Sequence, residues 1–282
     1  ADTETSSIKF IKTYKVKNYQ TIEDAIKYYC TSHKISPHTF SLCVAAPTNK
    51  NNIVFTNNHW RFERDLIQKT LGITQLLCIN DFTAQALAQI PYFQNNLNQD
   101  ASNNSASLKR INKGHPNKSS SVFIIGPGTG LGASTLVRVD DTFKALQAEG
   151  GHTHFSPTDK LELDLLIWLQ SKFTPVSTEN VVSGAGLENI YQFLNTGSAG
   201  PDKVNLKAAE IGSLALNGDP LSIKAVNLML GALGTAAANG VLTTGSFRGV
   251  VICGGIIPKL LELFSESPFY DKFTYNKPKY ST

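Results

Sequence analysis

Glycine is concentrated where phosphate chemistry would need it. The segment Gly126-Pro-Gly128-Thr129-Gly130-Leu-Gly132 places four glycines in seven residues, a density that lets backbone N–H groups approach and cradle a phosphate. The spacing is G-x-G-x-G, not the G-x-G-x-x-G of a dinucleotide turn. The residues that follow, Ala133–Val139, alternate apolar and polar like a strand where a dinucleotide fold would open a helix. No Gly-Lys-Ser/Thr follows, which excludes a Walker A loop. Two readings stay open: a strand–turn–strand phosphate clasp, or a tight hairpin whose glycines serve turn geometry alone.

Three further segments carry side chains or turns suited to chemistry. Asn80-Asp81 follows the short apolar run Leu76–Ile79 and opens a helical pattern. That is the carboxyl end of a strand, where open α/β sheets bind ligands. An aspartate there can accept a proton from a substrate hydroxyl, or simply cap the helix. Glu149-Gly-Gly-His152 can bend sharply enough for its two polar side chains to converge on one small ligand, and carboxylate plus imidazole suit vicinal hydroxyls. A helical Glu-x-x-His could ligate metal, but Gly-Gly argues against a helix. The bland alternative is a polar, solvent-exposed turn. Gly254-Gly255 follows the apolar strand Val250–Cys253 and admits either a flat adenosine or close strand–helix packing. Ser177-Thr-Glu179 reads as a capped helix start with no function of its own, and Thr56-Asn-Asn-His59-Trp60 as structural.

The elements that must position these residues alternate in type. Ile8–Val16 is apolar in extended style. Thr21-Ile-Glu-Asp24 then offers a helix cap, and Ile22, Ala25, Ile26, Tyr29 and Cys30 mark one buried helix face. Strands are expected at Phe40–Ala46, Ile53–Phe55 and Leu76–Ile79, and helices around Phe62–Leu71 and Asp81–Ile90, the latter stopped by Pro91. Gln94–Ser121 is rich in Asn, Ser, Gln and Lys and reads as an exposed loop between two lobes. Beyond it, Val122–Ile125, Thr135–Val139 and Gly249–Cys253 read as strands. Helices are expected at about Asp159–Phe173, Ser183–Leu194, Leu206–Asn217 and Asp219–Leu242, and one starting at Pro258. The alternation predicts an α/β architecture, divided into a smaller lobe at 1–91, incomplete at its N-terminus, and a larger one at 92–282.

Composition narrows the function classes. With 41% hydrophobic and 17% charged residues, the 282-residue chain is globular. Its 26 basic and 22 acidic side chains are scattered, which gives nucleic-acid binding little support. Four cysteines, far apart and without a CxxC pair, indicate no zinc site and no disulfide framework, and suit a reducing cytoplasm. The uncharged run Ala225–Phe247 contains Asn227, Asn239 and several threonines and glycines, so it reads as a buried helix and not as a membrane span. The sequons at Asn103 and Asn117 carry no weight in a cytoplasmic chain.

Taken together, these residues resemble the bacterial-type glucokinases of the hexokinase and actin-like ATPase superfamily. The matching pieces, in family order, are Ala46-Pro47, Thr56 to Trp60, Ile79-Asn80-Asp81-Phe82-Thr83-Ala84, Gly126 to Gly132, Glu149 to His152, Val181-Val-Ser-Gly184 with Gly186-Leu187, and Gly254-Gly255-Ile256-Ile257-Pro258. They run from about Lys12 to Phe264. The related ROK kinases carry a cysteine-rich zinc motif, which this chain lacks.

The resemblance implies an α/β, two-lobed actin-like ATPase (ribonuclease H-like) fold with a central cleft that closes to exclude water. It also implies the reaction of ATP with D-glucose to give glucose 6-phosphate and ADP, the first step of glycolysis. Asp81 would take the proton from the 6-hydroxyl, while Asn80, Glu149, His152 and Glu179 hold the other hydroxyls. Gly126, Gly128, Thr129 and Gly130 would hold the ATP phosphates, with Mg²⁺ and backbone N–H groups meeting the γ-phosphate charge, and Gly254 and Gly255 would lie near the adenosine. A cytoplasmic homodimer is implied too. Family members open with an Asp-x-Gly-Gly-Thr-Asn phosphate loop and close with a further strand and helix. Neither is found here, so the sequence reads as a kinase missing both ends, and its long polar loop as expanded. The alternatives are a non-catalytic sugar-binding or sensing protein on the same fold, or a truncated, inactive kinase fragment. A sugar-responsive repressor would need a helix-turn-helix or a basic N-terminal arm, which the sequence does not show, and a filament-forming actin relative would have no use for Glu149, His152 and Glu179 together.

Overall fold

The computed structural model describes residues 8–55, 58–95, 109–112, 114–196 and 205–274. Thr56 and Asn57, the sequon at Asn103, much of the expected polar loop and the last eight residues lie outside that set. The chain divides into two compact units, Ala1–Ala84 and Gln85–Thr282.

In the first unit, helix α1 (Ile22–His33) starts where the sequence places it: Thr21 Oγ1 accepts the Asp24 N–H at 3.1 Å, and the Asp24 carboxylate accepts the Thr21 N–H in return. Strand β1 (Thr39–Val44) is followed by the antiparallel pair β2 (Asn52–Val54) and β3 (Arg61–Glu63). Helix α2 (Arg64–Leu71) ends on Gly72 at φ 65°, a left-handed cap that favours glycine. Strand β4 (Gln75–Asn80) then pairs parallel with β1, Val44 opposite Asn80. Ile22, Val44, Ile53, Phe62 and Ile67 form this unit's core. Trp60 is structural, as expected: it packs on that core and donates its indole N–H to the Tyr19 carbonyl at 3.2 Å.

Helices α3 (Asp81–Ala88) and α4 (Ile90–Asn95) follow, and the boundary between the two units falls inside α3. The expected single helix ending at Pro91 is thus corrected. Pro91 is the second residue of α4, where its missing N–H would have had no partner in any case. The strand expected at Ile8–Val16 is also absent. Val16–Asn18 forms one 3₁₀ turn, and Ile8, Phe10 and Ile11 are exposed. A lone extended run is not stable without a neighbouring strand to share its hydrogen bonds, and none pairs with it among the described residues.

The second unit is built on a four-stranded sheet in the order β7-β6-β5-β8. Strands β5 (Val122–Pro127), β6 (Leu131–Val139) and β7 (Thr142–Ala148) form an antiparallel meander. After helices α5 (Lys160–Gln170), α6 (Gly184–Asn195), α7 (Ala208–Leu216) and α8 (Pro220–Thr244), strand β8 (Gly249–Ile252) returns parallel to β5. A parallel return needs such a helical crossover. Helix α8 is long and apolar enough to span a membrane. It lies instead inside the unit, where the run Leu228–Thr235 is buried on every side and packs against α6, α7 and β5. Helices α9 (Leu261–Phe264) and α10 (Phe269–Thr274) end the described chain, α10 lying across α8. Gly234 admits this crossing, since a Cβ there would collide with the Phe269 carbonyl oxygen.

Helix α10 is pinned by charge. The Lys272 ammonium meets Asp159 at 2.5 Å and the fully buried Glu162 at 3.4 Å. Burial alone would push Lys272 down and Asp159 up; their mutual hydrogen bond and the nearby charges outweigh it, raising Lys272 and lowering Asp159. The lowered Asp159 contributes stability above the usual carboxylate range and loses it as pH falls; the raised Lys272 loses its contribution only in strong base. Lys272→Met strands the Glu162 charge, and the expected loss is about 3 kcal/mol of unfolding free energy, in the range for breaking a buried pair. Urea unfolding at neutral pH checks this. An unchanged midpoint would show that the pair contributes nothing, and the deficit should shrink below pH 4.

Candidate functional site

Strand β4 delivers Asn80 and Asp81 to its carboxyl end. Asn80 is 8% exposed, and its Oδ1 accepts the N–H groups of Phe82 at 2.9 Å and Thr83 at 3.1 Å. The capping role weighed from sequence is therefore real, and it occupies only the oxygen of the amide. One oxygen of Asp81, Oδ1, accepts the same Phe82 N–H at 2.9 Å. The thiol of Cys43, exposed on neighbouring β1, is pushed above its usual pKa first by partial desolvation and then by the Asp81 charge.

The glycine segment forms the expected strand–turn–strand. Pro127 stands opposite Leu131 across the β5–β6 hairpin, and Gly128, Thr129 and Gly130 make the turn. The Gly128 N–H donates to the Gly130 carbonyl at 2.7 Å, and the Gly128 carbonyl accepts the Gly184 N–H at 2.9 Å. The first N–H of α6, which has no partner within its own helix, thereby grips the turn. A Cβ on Gly128 would meet nothing within 4 Å, so this face of the turn is open. Next door, a Cβ on Gly126 would stand 2.6 Å from the Cys253 carbonyl, and one on Gly254, at φ 87°, would collide with the Pro127 oxygen. The two glycine segments are thus in backbone contact, and Gly255 faces open space. Burial pushes the Cys253 thiol up to about 11, so it stays neutral beside them.

Glu149 and His152 bracket a short 3₁₀ turn, Gly150–His152, in place of the helix that a metal pair would need, and both are exposed. Their loop is stitched to Thr178–Asn180: the Thr178 N–H donates to the Thr153 carbonyl at 2.8 Å, and His154 bridges Ser177. Between the two loops lies the backbone of Leu131. Its N–H donates to Glu179 Oε2 at 2.7 Å, and a Cβ on Gly151 would strike its carbonyl oxygen. Within the second unit, then, the glycine turn, Glu149, His152 and Glu179 share one neighbourhood, with Gly254 at its edge.

Sequence reasoning missed Leu131, whose contribution is a backbone N–H that no residue type announces. It also missed the second role of Ser183. That residue caps α6 by accepting the Gly186 N–H at 2.9 Å, and its hydroxyl donates to the Glu179 carbonyl at 2.7 Å. The Ser-x-x-Gly spacing hints at the cap alone. Among the described residues, no three His, Cys, Asp or Glu side chains cluster as a metal site.

Comparison with known proteins gives a consistent result. The glucokinase family model matches residues 1–282. The glucokinase of Helicobacter acinonychis is 37% identical over 278 residues, covering 94% of this chain and 79% of its own length. The bifunctional protein glk of Burkholderia thailandensis is 36% identical over 273 residues, 96% of this chain but 41% of its own length. Among solved structures, a glucokinase from an Antarctic psychrotroph matches with a TM-score of 0.73 at 30% identity, covering 93% of this chain and 78% of that one. A Balamuthia mandrillaris glucokinase, solved in complex with glucose, shares the fold at a TM-score of 0.69 and 21% identity, over 92% of this chain and 74% of its own.

The contact between the glycine segments has a measurable consequence. Gly254→Ala adds a Cβ at a left-handed φ and against the Pro127 oxygen, and about 1–3 kcal/mol of destabilisation is expected. Gly255→Ala, in open space, should leave the denaturation midpoint nearly unchanged. Equal effects of the two substitutions would contradict the contact.

Proposed function

The chain belongs to the glucokinase family, and we propose which of its residues transfer the γ-phosphoryl group of ATP to the 6-hydroxyl of D-glucose. Asp81 Oδ2 accepts the hydroxyl proton as the sugar oxygen bonds to the γ-phosphorus. The bond from that phosphorus to the β–γ bridging oxygen breaks, and ADP leaves in line. Asn80 offers the sugar its amide N–H groups, since its oxygen is held by α3. Glu149, His152 and the free Oε1 of Glu179 hold the remaining hydroxyls. A buried polar group left unpaired by an inverted or missing hydroxyl then supplies the choice of sugar.

The phosphates lie against the open face of Gly128. The N–H groups of Gly128 and Leu131 are already committed inside the protein. The N–H groups of Thr129 and Gly130, with the exposed Thr129 hydroxyl, are the donors left for developing charge. Gly126 supports the turn from below, and Gly254 and Gly255 flank the adenosine. Mg²⁺ bound with the nucleotide would supply further neutralisation of the phosphate charge, beside the N–H groups of Thr129 and Gly130. The observation that supports this reading is the 2.7 Å bond between Leu131 and Glu179, which holds that carboxylate against the end of the glycine turn. Four free cysteines support a cytoplasmic location. Family likeness supports a homodimer, which sedimentation at micromolar concentration would refute by returning the mass of a single chain.

Asp81→Asn is expected to lower turnover by at least about 10²-fold with glucose affinity largely kept, as for loss of a general base. Glu149→Ala and His152→Ala should instead weaken glucose binding about tenfold each, the size of a lost hydrogen bond to a charged or polar group. Steady-state kinetics beside calorimetric titration separates the two patterns. Full turnover in Asp81→Asn removes it from the chemistry, and unaltered affinity in both others removes the sugar site.

A further inference from the structure

The turn glycines Gly128 and Gly130 are not equivalent. Neither has a left-handed φ, so the backbone itself requires glycine at neither position. A Cβ on Gly128 meets open space, whereas one on Gly130 collides with Glu179 Oε2 and stands 3.0 Å from its Cδ. The carboxylate head occupies the volume that a side chain at position 130 would fill. It is also held there. Oε2 accepts the Leu131 N–H, the Glu179 carbonyl accepts the Ser183 hydroxyl, and Thr178, one residue earlier, is bonded to Thr153. A methyl group at position 130 can be admitted only by swinging the carboxylate off Leu131.

We propose that Gly130, a residue of the nucleotide turn, is a positioning residue for the sugar: its missing side chain makes the recess in which Glu179 is oriented to bind a hydroxyl. This rests on the reading of Glu179 as a sugar ligand. Phosphate binding would call for small residues at Gly128 and Gly130 alike. The steric contact with Glu179 singles out Gly130 and ties it to a different ligand.

The test is calorimetric titration of glucose without nucleotide. Gly130→Ala should bind about tenfold more weakly, as expected for a lost hydrogen bond to a charged acceptor, whereas Gly128→Ala keeps its sugar affinity within about twofold. Glu179→Ala should also be weakened, and Gly130→Ala/Glu179→Ala should match Glu179→Ala alone, because the methyl acts only through the carboxylate. Wild-type affinity in Gly130→Ala, or a penalty that adds in full to that of Glu179→Ala, overturns the proposal. Undiminished affinity in Glu179→Ala overturns the sugar-site reading instead. Should the single Gly130→Ala chain not fold, the double variant, relieved of the collision, still decides. A second measurement uses the wild-type chain: the Leu131 amide resonance should shift on saturation with glucose, and an unmoved resonance overturns the link.

Discussion

The backbone of one residue, Leu131, organises the second unit's candidate site. The Leu131 N–H is taken by the Glu179 carboxylate, and its carbonyl lies hard against Gly151. Leu131 is also the first residue of β6 and the last of the turn's pairings with β5. Side chains separated by dozens of residues are therefore referenced to one rigid strand end. The remaining glycines follow from the same crowding. Gly150 must clear Ala133, Gly126 must clear Cys253, and Gly186 must clear the Val181 carbonyl so that α6 can start where its first N–H reaches the turn. Close backbone approach, more than any one side-chain pair, is the currency of this site.

Rigidity behind that strand end comes from β5 and α8. Every residue of β5 is buried, and α8 packs against it while also carrying α6, α7 and α10. The small residues of α8 permit those close crossings: Phe123 of β5 fills the place of a side chain at Gly240, and Pro268 lies 3.3 Å from where a Cβ on Gly231 would stand. For the proposed phosphate-holding role the turn needs a support that does not relax as charge develops, and a close-packed helix behind a buried strand is such a support.

Much of this was legible in the sequence, for identifiable reasons. The hairpin was readable because Ala133–Val139 alternates, and α8 because Asp219-Pro220 caps a long small-residue run. The helix at α1 announced itself through Thr21 and Asp24. What failed depended on partners. Ile8–Val16 has strand composition but no strand beside it among the described residues, and β7 escaped notice because as an edge strand it buries little and so shows a weak pattern. Pro91 reads by residue type as a helix stop, yet its neighbours make it part of a helix start. Glu179 had no assignable role from its own segment, because its partner is a main-chain N–H 48 residues earlier. Contacts between a side chain and distant backbone leave no trace in residue spacing.

Asn80 shows what such double use means for the freedom of a position to vary. Its oxygen closes the first turn of α3, while its nitrogen is the part assigned to the sugar in the proposed function. Aspartate, serine and threonine can all supply the capping oxygen, but none can supply the amide donors. Two filters of different width therefore act on one side chain. On the proposed sugar-holding role, a library sorted only for folded protein would recover several residue types at this position, and the same library sorted for turnover would collapse to asparagine. The difference between the two distributions is a direct reading of how much of the residue belongs to the fold and how much to the chemistry.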